Sequence, residues 1–108
     1  MIDVIKGLYE VAKERKENKT EGSYTCYLFE QGIDKILKKC GEECSEVIIA
    51  AKNGNNEETA NEICDLLYHM IVMMVEQGIT IEEVEEILEQ RRQKIGNLKT
   101  FHVSDHNS

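Results

Sequence analysis

A chain of 108 residues with a formal net charge of -8 has room for one domain with a modest core, and it is too acidic to be a general binder of nucleic acid or anionic membrane. Hydrophobic residues make up 41% and charged residues 31%, the balance of a soluble globular protein. Proline is absent and aromatic residues are few, which favours long uninterrupted helices over a turn-rich β fold.

The first helix is expected from about Ile2 to Lys16, with Ile2, Ile5, Leu8 and Ala12 as its apolar stripe. Lys13, Arg15 and Lys16 crowd its C-terminal end, where they complement the helix dipole. This N-terminal stretch lacks the apolar segment of a signal peptide, and the longest apolar run, Met70 to Val75, is far too short to span a membrane. A cytoplasmic protein is expected. The loop NKTEGSY follows, and then TCYLFE, read as a short helical turn with Tyr27, Leu28 and Phe29 partly buried.

A second long helix is expected from Ile33 to Asn53. At about 100° per residue, Lys35, Lys39, Glu42, Glu43 and Glu46 share one face. Ile33, Ile36, Leu37, Cys40, Cys44, Val47, Ile48 and Ala51 occupy the opposite, core-facing one. Cys40 and Cys44 are read as small core residues, because the paired spacing of a zinc site is missing. Gly41 either permits close helix packing or leaves room for a ligand beside Glu42.

The turn Asn53-Gly54-Asn55-Asn56 returns the chain into a third long helix, from about Glu57 to Gln77, with Asn55 as N-cap and Gly78 as left-handed C-cap. Its segment Ile63 to Val75 is apolar in nearly every direction, so it is expected to be buried all round and to hold a homodimer or larger homo-oligomer together. Asp65 and His69 lie inside that run, on the face that carries Glu62. A buried unpaired carboxylate is costly and is normally paired, protonated or bound to metal. Thr80 and Glu83 form a capping box for the last helix, which runs to about Ile95 with Ile81, Val84, Leu88, Arg91 and Ile95 on one side. The resulting expectation is an all-α bundle of four main helices completed by oligomerisation, a domain over residues 1–98 and a polar tail over 99–108 held, if anywhere, around Phe101.

Glu42, Glu43, Glu46, Glu62 and Asp65 are thus drawn together by one local turn. Like charges repel unless a cation sits among them, and a hard divalent ion suits carboxylate oxygens. Lys35 and Lys39 on the same face are positioned either to hold phosphates or to form salt bridges such as Lys39 to Glu43. A di-iron bundle is excluded, because the chain has no Glu-x-x-His motif. A non-enzymatic helical module with a solvated acidic stripe remains the contrasting reading.

Glu43-x-x-Glu46 and Glu62-x-x-Asp65 resemble the ExxE and ExxD pair of the all-α nucleoside triphosphate pyrophosphohydrolases. The longer stretches SYTCYLFEQGIDKILKKCGEECSEVIIAAKN and NEICDLLYHMIVMM, with KIGNLKTFH in the tail, resemble the phosphoribosyl-ATP pyrophosphohydrolases of histidine biosynthesis. The resemblance spans roughly Ile2 to Leu98. It implies magnesium-dependent cleavage of phosphoribosyl-ATP to phosphoribosyl-AMP and pyrophosphate, in the single-function form of an enzyme that elsewhere is fused to the next one in the pathway. It further implies Glu43, Glu46, Glu62 and Asp65 as metal ligands, Glu42 as the base for the attacking water, and Tyr24 and Thr25 of the SYT segment as substrate contacts with Lys35 and Lys39. A housecleaning pyrophosphohydrolase of the same superfamily, acting on other nucleotides, is the alternative within that resemblance.

Overall fold

The computed structural model describes residues 2–96, and the expectations for the tail and Phe101 lie outside them. Five helices follow one another: α1 (Ile2–Glu17), α2 (Tyr24–Gln31), α3 (Ile33–Lys52), α4 (Asn56–Gln77) and α5 (Ile81–Gly96). The all-α class is as expected. The segment read as a helical turn is a helix in its own right, α2, started by the Ser23 hydroxyl accepting from the Cys26 amide at 3.2 Å.

α3 and α4 form an antiparallel hairpin whose turn is made by local chemistry. Gly54 takes φ +72°, the left-handed region that an L side chain rarely adopts. Its amide and that of Asn55 donate back to Ala51 and Ala50, closing the end of α3. Asn55 Oδ1 then accepts from the Glu58 amide at 3.0 Å and opens α4. Gly78, at φ 76° and ψ 23°, ends α4 in the same way, and the Thr80 hydroxyl accepts from the Glu83 amide at 3.1 Å to begin α5.

α4 is the hub. On one side Ile71 and Val75 pack with Ala12 of α1, flanked by Ile5, Tyr9 and Phe29. On the other, Val72 packs with Leu28 of α2 and Ile36 of α3, flanked by Phe29, Tyr68 and Met73. Tyr9 Oη donates to the Ile79 carbonyl at 2.9 Å and fastens α1 to the turn after α4.

Two expectations about faces are corrected. On α3 the inward stripe is Ile36, Cys40, Glu43, Val47 and Ala50, while Leu37, Cys44, Ile48 and Ala51 are exposed. The apolar arc of α3 is wider than one neighbour covers, and the arc that meets α4 is shifted toward Glu43. α4 is not buried all round either: α1, α2 and α3 cover most of its apolar surface, yet Ile63 and Met70 remain exposed. The larger uncovered apolar surface is on the outer face of α3 and on α5. α5 leaves α4 at 114° and commits only Ile81 to the core, leaving Leu88 58% and Ile95 72% exposed. No single helix among the described residues is long and apolar enough to cross a membrane.

Ile36 is wholly buried between α2 and α4. Ile36→Ala is therefore expected to cost about 2–5 kcal/mol by removing branched volume that its neighbours cannot refill. Urea unfolding of the two proteins measures it.

Candidate active site

The α3–α4 contact has acidic side chains where a helix pair ordinarily has apolar ones. Glu43 sits in the inward stripe of α3 and is only 7% exposed. Glu62 faces it from α4, half-buried, and Asp65 follows one turn later at the exposed edge. Oxygens of Glu43, Glu62 and Asp65 lie within 4.8 Å of one another. Asp65 was expected inside the apolar run; it lies at the rim, because α4 turns that face toward the carboxylates rather than into the core.

Burial and crowding act on these acids together. Burial pushes the Glu43 carboxyl above the ordinary range, and Glu46 pushes it further, against the opposing pull of Lys39 and His69. Glu62 is pushed up to about 7, chiefly by the neighbouring Glu46 carboxyl, then by desolvation and by Glu58 and Asp65. Glu43 Oε2 and Glu62 Oε2 are shielded from solvent with no hydrogen-bond partner among the described residues. Such orphaned acceptors destabilise a protein unless a proton or cation satisfies them. Carboxylate oxygens offered from two helices are the donors that a hard divalent ion such as magnesium takes.

Lys39 is the one cation ion-paired to this cluster among the described residues, at 3.4 Å from Glu42 and 3.6 Å from Glu43. Burial pulls its ammonium down, but Tyr24, Glu42 and Glu43 together outweigh that and hold it above the usual lysine value. A small cleft of about 260 Å3 opens from Glu46 past Ile49, Ala50, Asn53, Glu58 and Glu62.

The sequence matches the family model for phosphoribosyl-ATP pyrophosphohydrolase over residues 5–92. The chain belongs to this family.

Its relatives agree along nearly their whole length. The phosphoribosyl-ATP pyrophosphatase of Clostridium novyi is 57% identical over 98 residues, covering 91% of this chain and 89% of that protein. That of Streptococcus sanguinis is 50% identical over 103 residues, covering 95% and 99%. That of Clostridium acetobutylicum is 53% identical over 97 residues.

Of the residues singled out by sequence in this pyrophosphohydrolase-family chain, Glu43, Glu62 and Asp65 converge, while Glu46 is exposed beside them and pushes the carboxyls of Glu43 and Glu62 upward. Glu42 stands exposed at the edge, tied to Lys39. Lys35 makes no ion pair among the described residues. Tyr24 donates toward His69, and Thr25 bonds the Tyr68 hydroxyl, so both reach the site through α4. A side-chain carbon at Gly41 would meet nothing within 4 Å, which removes close helix packing as the reason for glycine. Cys44, expected in the core, is exposed, and Cys40 is half-buried. Glu58 was missed; its one-turn spacing to Glu62 is the signal that reveals it.

Glu62 has its folded value raised from the ordinary 4.5 to about 7, so the folded state holds the proton more tightly than the unfolded chain does. The stability this contributes is full below about 4.5 and is lost as pH rises through about 7. Metal-free protein is therefore expected to lose thermal stability as pH rises from about 5 to about 8, and Glu62→Gln to lose less. Melting curves in chelator, followed by addition of magnesium at the upper pH, check both the fall and its reversal.

Proposed function

We propose that this chain hydrolyses phosphoribosyl-ATP to phosphoribosyl-AMP and pyrophosphate, the second step of histidine biosynthesis, using magnesium held by Glu43, Glu46, Glu62 and Asp65. The observation that carries this reading is the coincidence of a near-full-length family match with orphaned carboxylates at the family's acidic pairs. When bound, the ion would neutralise phosphate charge and lower the pKa of a coordinated water.

The chain's own residues divide the remaining work. Glu43 and Glu62 supply the buried oxygens and Asp65 the exposed one, so the site is closed at its floor and open toward substrate. Lys39 is the cation available to the phosphates, and Lys35 lies on the same helix face. A phosphate that draws Lys39 to itself releases Glu42, which then takes the proton of the attacking water. In a chain of net charge -8, a polyanion is repelled at long range, and this local positive charge is what admits it.

The apolar surfaces left uncovered on α3 and α5 support a homodimer or larger homo-oligomer. Sedimentation at micromolar concentration is expected to show no folded monomer, and Leu88→Asp to shift the population toward smaller species.

For the chemistry, chromatography of the products is expected to show intact pyrophosphate. Release of orthophosphate, or preference for an ordinary nucleoside triphosphate, would favour a housecleaning activity instead. Glu46→Gln and Asp65→Asn are expected to lower kcat roughly a hundredfold or more, the scale of losing one electrostatic stabiliser. Glu42→Gln is expected to depress kcat more than it raises KM.

A further inference from the structure

His69 is 5% exposed, on the face of α4 that looks toward Glu43, and no step above uses it. Both ring nitrogens are engaged. Nδ1 lies 2.7 Å from the backbone carbonyl of Asp65, one turn earlier. A carbonyl only accepts, so Nδ1 carries the hydrogen. With the ring neutral, Nε2 is then an acceptor, and it lies 3.0 Å from Tyr24 Oη. The Tyr24 hydroxyl therefore donates to it.

That bond fixes more than one torsion. The Tyr24 ring meets His69 edge-on at 5.8 Å and 77°, and lies nearly parallel to Tyr27 at 6.0 Å and Tyr68 at 6.2 Å. Tyr68 also meets His69 edge-on, at 5.0 Å, and is bonded through its hydroxyl to Thr25. An eight-residue helix such as α2 has little stability of its own, so these bonds to α4 decide where its first turn sits. The chain of contacts thus runs from the backbone of Asp65, through His69, to the Tyr24 hydroxyl and ring.

We propose that His69 is a positioning residue: it acts neither as metal ligand nor as base, but relays the backbone of the acidic helix to the Tyr24 hydroxyl and so sets the substrate-facing side of the site. The inference rests on the reading of Tyr24 and Lys39 as substrate contacts. A histidine that merely satisfied its own nitrogens in the core would affect stability alone.

Three variants separate these roles. Asparagine at this position keeps a donor near Asp65 but falls short of Tyr24; glutamine places an acceptor near the Nε2 position. His69→Asn and Tyr24→Phe are each expected to raise KM for phosphoribosyl-ATP about tenfold, about 1.4 kcal/mol, with kcat little changed. The double variant should be no worse than either single one. His69→Gln should recover most of the loss. A normal KM in Tyr24→Phe, additive effects, or loss of kcat at constant KM would each overturn the proposal, and the tyrosine variant decides even if the asparagine one fails to fold. Nitrogen NMR of labelled imidazole in the wild-type protein needs no substrate. It should show a protonated Nδ1 and a bare Nε2 whose resonance moves in Tyr24→Phe. The opposite tautomer, or no movement, overturns the relay whatever the enzyme's substrate proves to be.

Discussion

The repulsion between Glu43 and Glu62 across the α3–α4 contact is the constraint to which the rest of the fold answers. A helix pair normally draws stability from the residues at its centre. Here the centre holds acids whose unmatched oxygens destabilise it, and the apolar contribution is displaced to either side. The core lies further along α4, around Ile71, Val72 and Val75, in two small clusters on different faces, one reached by α1 and the other by α2 and the first turn of α3. α1 and α2 are in this sense supports: they hold α4 against α3 while the space between remains available for a cation.

Charge balance around the site has the same logic. Six carboxylates, those of Glu42, Glu43, Glu46, Glu58, Glu62 and Asp65, gather where, among the described residues, Lys39 is the one paired ammonium. Crowding by Glu46 raises the carboxyls of both Glu43 and Glu62, so a proton taken up there relieves part of the repulsion. A divalent ion held as proposed would relieve it by taking the proton's place, and proton release and ion uptake would then be opposite sides of one equilibrium.

Much of this was legible in the sequence because it is local. The caps at Asn55, Gly78 and Thr80 depend on residues three or four positions apart, and so does the pairing of Glu43 with Glu46 and of Glu62 with Asp65. Periodicity also gave every long helix within a residue or two. It could not tell which arc of α3 turns inward, since Leu37 and Ile48 are as apolar as Ile36; the choice is made by partners that periodicity does not contain. Nor could it show that Asp65 lies at the rim while His69 lies inside. Tyr24 and His69 are 45 positions apart, and only the packing of α2 on α4 brings them within bonding distance.

The turn at Gly54 has a further bearing on how the molecule comes to be folded. Because the two acidic helices are joined by so short a connection, closing them costs little chain entropy, and contacts of this kind form early. The docking of α1 onto α4 joins the far end of the chain and comes at a greater entropic cost. The nascent hairpin thus confronts its own charge before most of the supporting core exists. Acidity, by neutralising these carboxylates, is then expected to act on the rate of folding as well as on the final balance, so that the constraint of the site is felt in the kinetics of the chain's birth.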